Sequence, residues 1–124
     1  MLTINPEKVC FVIAKAREID VKVAPEEMSD DDDDMERILE DYADDATYQE
    51  LQEFLKVQSD DDLIQLLALT WIGRGEYSAD EWRDVLKEIS DVREKHTVEY
   101  LLGTPLLSDY LEEGLNQFGI SCNA

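Results

Sequence analysis

The chain is short of the residues that active sites most often use. It has one histidine, His96, and two cysteines, Cys10 and Cys122. A lone histidine excludes a His-based metal cluster and a two-histidine relay, and two cysteines 112 positions apart lack zinc spacing. Basic residues are scarce as well, 11 against 31 acids, for a formal net charge of −20. Such a charge disfavours contact with phosphate backbones and anionic lipid, so direct nucleic-acid binding is not expected. No apolar run approaches the roughly 18 residues a membrane span needs. Strand signals are missing too: there is no sustained alternation of period two and no Asn-Gly or Asp-Gly hairpin turn.

Met1-Leu2-Thr3-Ile4-Asn5-Pro6 has no charged region followed by a long apolar core, so no secretory signal is read and a cytoplasmic location is expected. On that footing Cys10, inside the apolar run Val9 to Ile13, reads as a small core residue. Cys122 reads as an exposed thiol in the tail, and a bridge between the two is not expected.

What is present is enough apolar sequence for one core. A length of 124 residues fits one domain, 1–124, and 44% hydrophobic content lets it collapse. The charge is uneven. Between Glu26 and Asp62 there are 17 acids against Arg37 and Lys56, a net of −15. The run Asp30-Asp31-Asp32-Asp33-Asp34 is the densest part; its like charges repel and bury nothing, so residues 26–34 are expected to form a flexible acidic linker.

Elsewhere the period is helical. Asn5-Pro6 is a start signal, and Val9, Val12, Ile13, Ala16, Ile19 and Val23 form one face up to Pro25. Met35, Ile38, Leu39 and Tyr42 mark a second helix ending near Asp45. Thr47 to Glu50 matches a capping box before Leu51, Phe54 and Leu55. Ser59-Asp60-Asp61-Asp62 opens Leu63 to Ile72, apolar almost all round and so expected at the centre. Gly73-Arg74-Gly75 breaks it. Ser78 to Glu81 is another capping box, before Trp82, Val85, Leu86 and Ile89. Thr97 to Leu102 is stopped by Gly103, and Thr104-Pro105 starts a last helix with Leu106, Leu107, Tyr110, Leu111 and Leu115, stopped by Gly119; the pair Leu106-Leu107 reads either as core or as a partner-facing ridge. The fold class is all-α, a single compact domain of six or seven helices.

Trp71-Ile72-Gly73-Arg74-Gly75-Glu76-Tyr77, followed by Tyr100-Leu101-Leu102-Gly103-Thr104-Pro105-Leu106-Leu107, resembles the bacterial family of uncharacterised proteins called domain of unknown function 3775 (DUF3775). The resemblance covers about residues 47–119. It implies a small bacterial helical domain and carries over no activity or functional residue.

Each constellation that could carry chemistry has a plainer structural reading. A calcium loop beginning at Asp30 supplies Asp30, Asp32 and Asp34, but Met35 replaces the glycine its turn requires and Asp41 the closing glutamate. Gly75 to Glu81 imitates the second half of such a loop, yet Thr70, Ile72 and Arg74 supply no carboxylate to the first half. No metal site and no cofactor are expected. His96 reads as a helix C-terminal cation. Ser78, Thr104 and Ser108 read as cap or turn residues.

Gly73, Arg74 and Gly75 are more open. They form either a small-anion or partner-binding loop, or a helix-ending turn whose arginine pairs with an acid of its own chain; the turn is favoured. Trp71, Tyr77, Trp82 and Tyr100 read as helix-locking core residues, with an exposed aromatic patch as the alternative. Taken together, a non-catalytic protein-interaction module contacting a basic partner is expected, with Asp30 to Asp34 and Gly73 to Gly75 as candidate interaction residues. The alternatives are a small-anion ligand-binding or enzymatic domain using Gly73 to Tyr77, with a pocket near Arg74 lined by Trp71 and Tyr100, and a nucleic-acid mimic, which would need carboxylates fixed on rigid helices. Oligomeric state is not legible.

Overall fold

The computed structural model describes residues 2–22, 46–92 and 97–122, with the side chains of 20–22 and 91–92 left aside. Six α-helices occur among the described residues: α1 (Pro6–Lys22), α2 (Ala46–Lys56), α3 (Asp60–Gly73), α4 (Trp82–Val92), α5 (Thr97–Leu102) and α6 (Leu107–Asn116). A 3₁₀ turn, Ala79–Glu81, leads into α4, and no strand is present among the described residues. The expected helix around Met35 to Tyr42 and the expected linker over 26–34 lie outside the described residues. No described helix is long and apolar enough to cross a membrane.

The centre of the fold is α3. The Ser59 hydroxyl accepts the Asp62 amide at 3.1 Å and three aspartates sit in the first turn, where negative charge meets the positive end of the helix dipole. From Leu63 to Thr70 every residue is buried, as is Ile72. A helix apolar on all sides must be packed on all sides, and α4, α5 and α6 all pack against it.

Its closest neighbour is α6. A Cβ built on Gly73 would lie 1.8 Å from the Tyr110 carbonyl oxygen, and one built on Gly114 would lie 2.4 Å from that of Leu69. The pairing 73 with 110 and 69 with 114 means the two helices run antiparallel, touching backbone to backbone through a glycine on each.

The last face of the core is covered by α1, which buries Val9, Val12, Ile13, Ala16 and Ile19 against α6 and α2. It starts as expected, with Asn5 Oδ1 accepting the Glu7 amide at 2.9 Å. Four ion pairs tie it to three other helices: Lys8 to Asp62 at 2.8 Å, Lys15 to Glu50 at 3.2 Å, and Arg17 to Glu112 at 3.0 Å and to Asp109 at 3.7 Å. Gln65 is buried because it has work to do at this junction. Its Oε1 accepts the amides of Thr3 and Ile4 at 3.0 and 2.9 Å, and its Nε2 donates to Thr3 Oγ1 at 2.7 Å.

Three expectations need correction. Cys10 and Cys122 form a disulfide with Cα atoms 5.6 Å apart. Packing of α6 on α1 returns the end of the chain to the first helix, so separation in sequence says nothing about separation in space. Thr47 lies inside α2, which begins no later than Ala46, and Glu50 pairs with Lys15 instead of closing a capping box. The last helix starts at Leu107, two residues after Pro105, with Leu106 in the left-handed region as its cap. The leucine pair after Pro105 divides between its two readings: Leu107 is buried in the core and Leu106 is 43% exposed.

Candidate functional site

Both segments that carry the family resemblance fold to one end of α3 and meet there. The chain leaves α3 through a tight C-terminal cap. The Gly75 amide donates to the Ile72 carbonyl at 3.0 Å and the Glu76 amide to that of Trp71 at 3.1 Å. This double bond pattern requires a residue with positive φ, supplied by Gly75 at +92°. The cap turns Arg74 toward α5 and α6. Its Nε lies 3.0 Å from a Glu76 carboxylate oxygen, its NH1 donates to the Tyr100 hydroxyl at 3.1 Å, and the guanidinium sits 6.0 Å from the Tyr110 ring centre.

On the other side of the turn, the Trp71 and Tyr77 rings stack with centroids 6.1 Å apart and planes 16° from parallel. The Tyr77 hydroxyl donates to the Glu88 carboxylate of α4. That hydrogen bond, helped by partial desolvation and by the charges of Glu88, Glu76 and Glu81, pushes the Tyr77 phenol up to about 12. The Ser78 amide donates to Glu81 Oε1 at 2.9 Å, within the expected capping box. Its hydroxyl also donates to that carboxylate, at 3.3 Å.

The Gly73 to Gly75 loop is thus a helix-ending turn whose arginine pairs with an acid of its own chain, Glu76. An anion bound here would have to displace that carboxylate. The aromatics divide between the two roles expected for them. Trp82 is buried, with the Phe118 ring edge-on at 5.1 Å; Trp71 and Tyr77 are half-buried; Tyr100 is 37% exposed. Leu106, at φ +60°, is a neighbour of Tyr110 one helical turn away. Sequence reasoning left the pair Leu106-Leu107 open between core and a partner-facing ridge, because a leucine pair after proline suits either; Leu106 takes the surface and Leu107 the core.

Asp30 to Asp34 and His96 lie outside the described residues. Among the described residues no group of three or more His, Cys, Asp or Glu side chains could hold a metal ion. A broad open groove lies away from Arg74, lined by Phe11, Glu50, Glu53 and Phe54. In it the two phenylalanine rings sit 4.4 Å apart and the Lys15 ammonium lies 5.7 Å from the Phe11 ring.

Charge is sorted by depth. The buried polar side chains among the described residues are Gln65, Thr70, Thr97, Thr104 and Ser108, none of them ionisable in the ordinary pH range. The cations Lys8, Lys15, Arg17 and Arg74 all face carboxylates of the same chain. Other carboxylates are exposed, as at Asp80 and Asp84 around the start of α4.

Fold and surface together define a small all-helical domain with an apolar core and a strongly acidic exterior. The family model described as protein of unknown function (DUF3775) matches residues 48–120, more than half of the chain, and the protein belongs to that family. No curated protein and no solved structure matches the chain. The matched region begins inside α2, so α1 lies outside it.

Proposed function

We propose that this protein is a non-catalytic interaction module that presents an acidic surface to a basic protein partner. The observation behind this reading is the sorting of charge. Four cations are occupied in ion pairs within the chain, while residues 97–122 carry four acids and no base at all. A partner therefore meets a negative field that the chain's own cations do not cancel. Fields of this kind accelerate encounter and select partners by charge more than they deepen affinity.

The test is capture on the immobilised chain from cells that express it, at low and at high salt. Proteins with a basic surface should be retained at low salt and released at high salt. Recovery of no basic protein at low salt ends this reading. The small-anion alternative finds its only loop cation already paired with Glu76. The nucleic-acid mimic rests on Asp30 to Asp34, outside the described residues.

A further inference from the structure

We infer that the ridge formed by Tyr100, Leu106 and Tyr110 is the contact surface for that partner, and that it receives a basic amphipathic helix. The inference rests on the reading above and names the place and the shape of the contact. Leu106 carries it. A leucine in the left-handed region is strained, since its Cβ crowds the backbone where glycine or asparagine would not. Leucine is also among the poorest residues at a helix N-cap, the position it holds on α6. Both local rules favour another residue here, and the fold covers only part of this one, since Leu106 is 43% exposed. What the side chain does is stand on the surface beside other apolar area.

The ridge is continuous. Leu106 and Tyr110 lie one turn apart on α6, and the Tyr110 amide donates to the Leu106 carbonyl at 3.1 Å. Arg74 bridges the Tyr110 ring to the Tyr100 hydroxyl, and Tyr100 is itself 37% exposed. A row of apolar groups one turn apart matches the spacing of a helix laid against it. Charge decides which helix. On α6 the exposed Asp109 and Glu113 form a second row, four residues apart and alongside the first; Asp109 lies 3.7 Å from Arg17, a cation it shares with Glu112, so the three carboxylates keep a surplus of negative charge. The one cation in the ridge, Arg74, is neutralised by Glu76. An apolar strip edged by carboxylates fits a helix with an apolar face and lysines or arginines flanking it.

The probe is a synthetic helical peptide with leucines on one face and lysines on the other, titrated into the intact, isotope-labelled chain at low salt and followed by amide chemical shifts. Shifts should centre on Arg74, Tyr100, Leu106 and Tyr110. Leu106→Gly should weaken binding about fivefold, the share of a leucine still available for burial, while the melting temperature stays within about 5 °C of the parent because relief of the backbone offsets lost packing. Asp109→Asn with Glu113→Gln should weaken binding and flatten its salt dependence with the ridge intact. Salt-dependent binding whose shifts lie elsewhere, or which Leu106→Gly leaves unchanged, overturns this surface and spares the acidic-module reading. No binding at low salt overturns both.

Discussion

Replacing Gly73 by alanine sets two effects of opposite sign against each other. Within a helix alanine is favoured over glycine by about 1 kcal/mol, so an exposed site would gain stability. Gly73 is not such a site. The new methyl carbon would lie 1.8 Å from the Tyr110 carbonyl oxygen, far inside any contact distance. The obstacle is backbone, which cannot swing aside as a side chain can. To admit the methyl, α3 and α6 must part by about 1.5 Å, opening the best-packed interface in the core; overpacking of this kind costs typically 1–3 kcal/mol and sometimes more. The net expectation is a loss of at least about 2 kcal/mol, a fall of roughly 8 °C in melting temperature for a chain of this size. Thermal and urea unfolding followed by circular dichroism measure it. Gly75→Ala is the control. No neighbour lies within 4 Å, so only the strain of positive φ, about 1–2 kcal/mol, is at stake. A Gly73→Ala variant that melts at or above the parent temperature would refute the backbone contact between these helices.

Three further expectations follow from single contacts. Reducing the Cys10–Cys122 bridge frees a loop spanning 112 positions, worth about 4–5 kcal/mol of stability by loop entropy; a melting temperature that ignores a dithiol reductant would show that the bridge does not form. Gln65→Ala strips the Thr3 and Ile4 amides of their acceptor and should cost about 1–3 kcal/mol with early loss of hydrogen-exchange protection at residues 3 and 4. Tyr77 holds its proton up to about 12 against an ordinary 10. Between those values the unfolded chain releases a proton that the folded chain keeps, so stability falls as pH rises from about 10 to 12. Ultraviolet titration should show late-ionising tyrosine, including Tyr48, whose phenol burial also pushes up with help from the charge of Glu99. Tyr77→Phe should remove one of these and flatten the decline.

Most of the fold was legible because helical period and cap chemistry are local. Ser59, Gly75 and the glutamate of Ser78 to Glu81 act where the sequence places them, and the apolar stretch Leu63 to Ile72 is the central helix. What stayed hidden depends on which helices touch. Nothing local shows that Gly73 and Gly114 face each other's helices, that Gln65 reaches the chain start, or that the tail returns to Cys10. The disulfide also bears on location, since such bridges persist in oxidising surroundings and a cytoplasmic protein seldom keeps one; rapid thiol labelling of cell extracts reports its state in place. At the candidate site, the pairing of Arg74 with an acid of its own chain was foreseen, and the small-anion alternative set Tyr100 beside it, but Tyr110 was not foreseen. The exposure of Leu106 stayed open, because its neighbours Leu107 and Leu111 are buried and share its sequence character.

The association rate of the chain with its captured partner, followed by stopped flow across a range of ionic strength, probes the acidic-module reading most directly. If the outward carboxylates guide the encounter, the rate should fall at least about tenfold from low to high salt while dissociation changes little. A rate indifferent to salt would mean that the surplus negative charge takes no part in recognition.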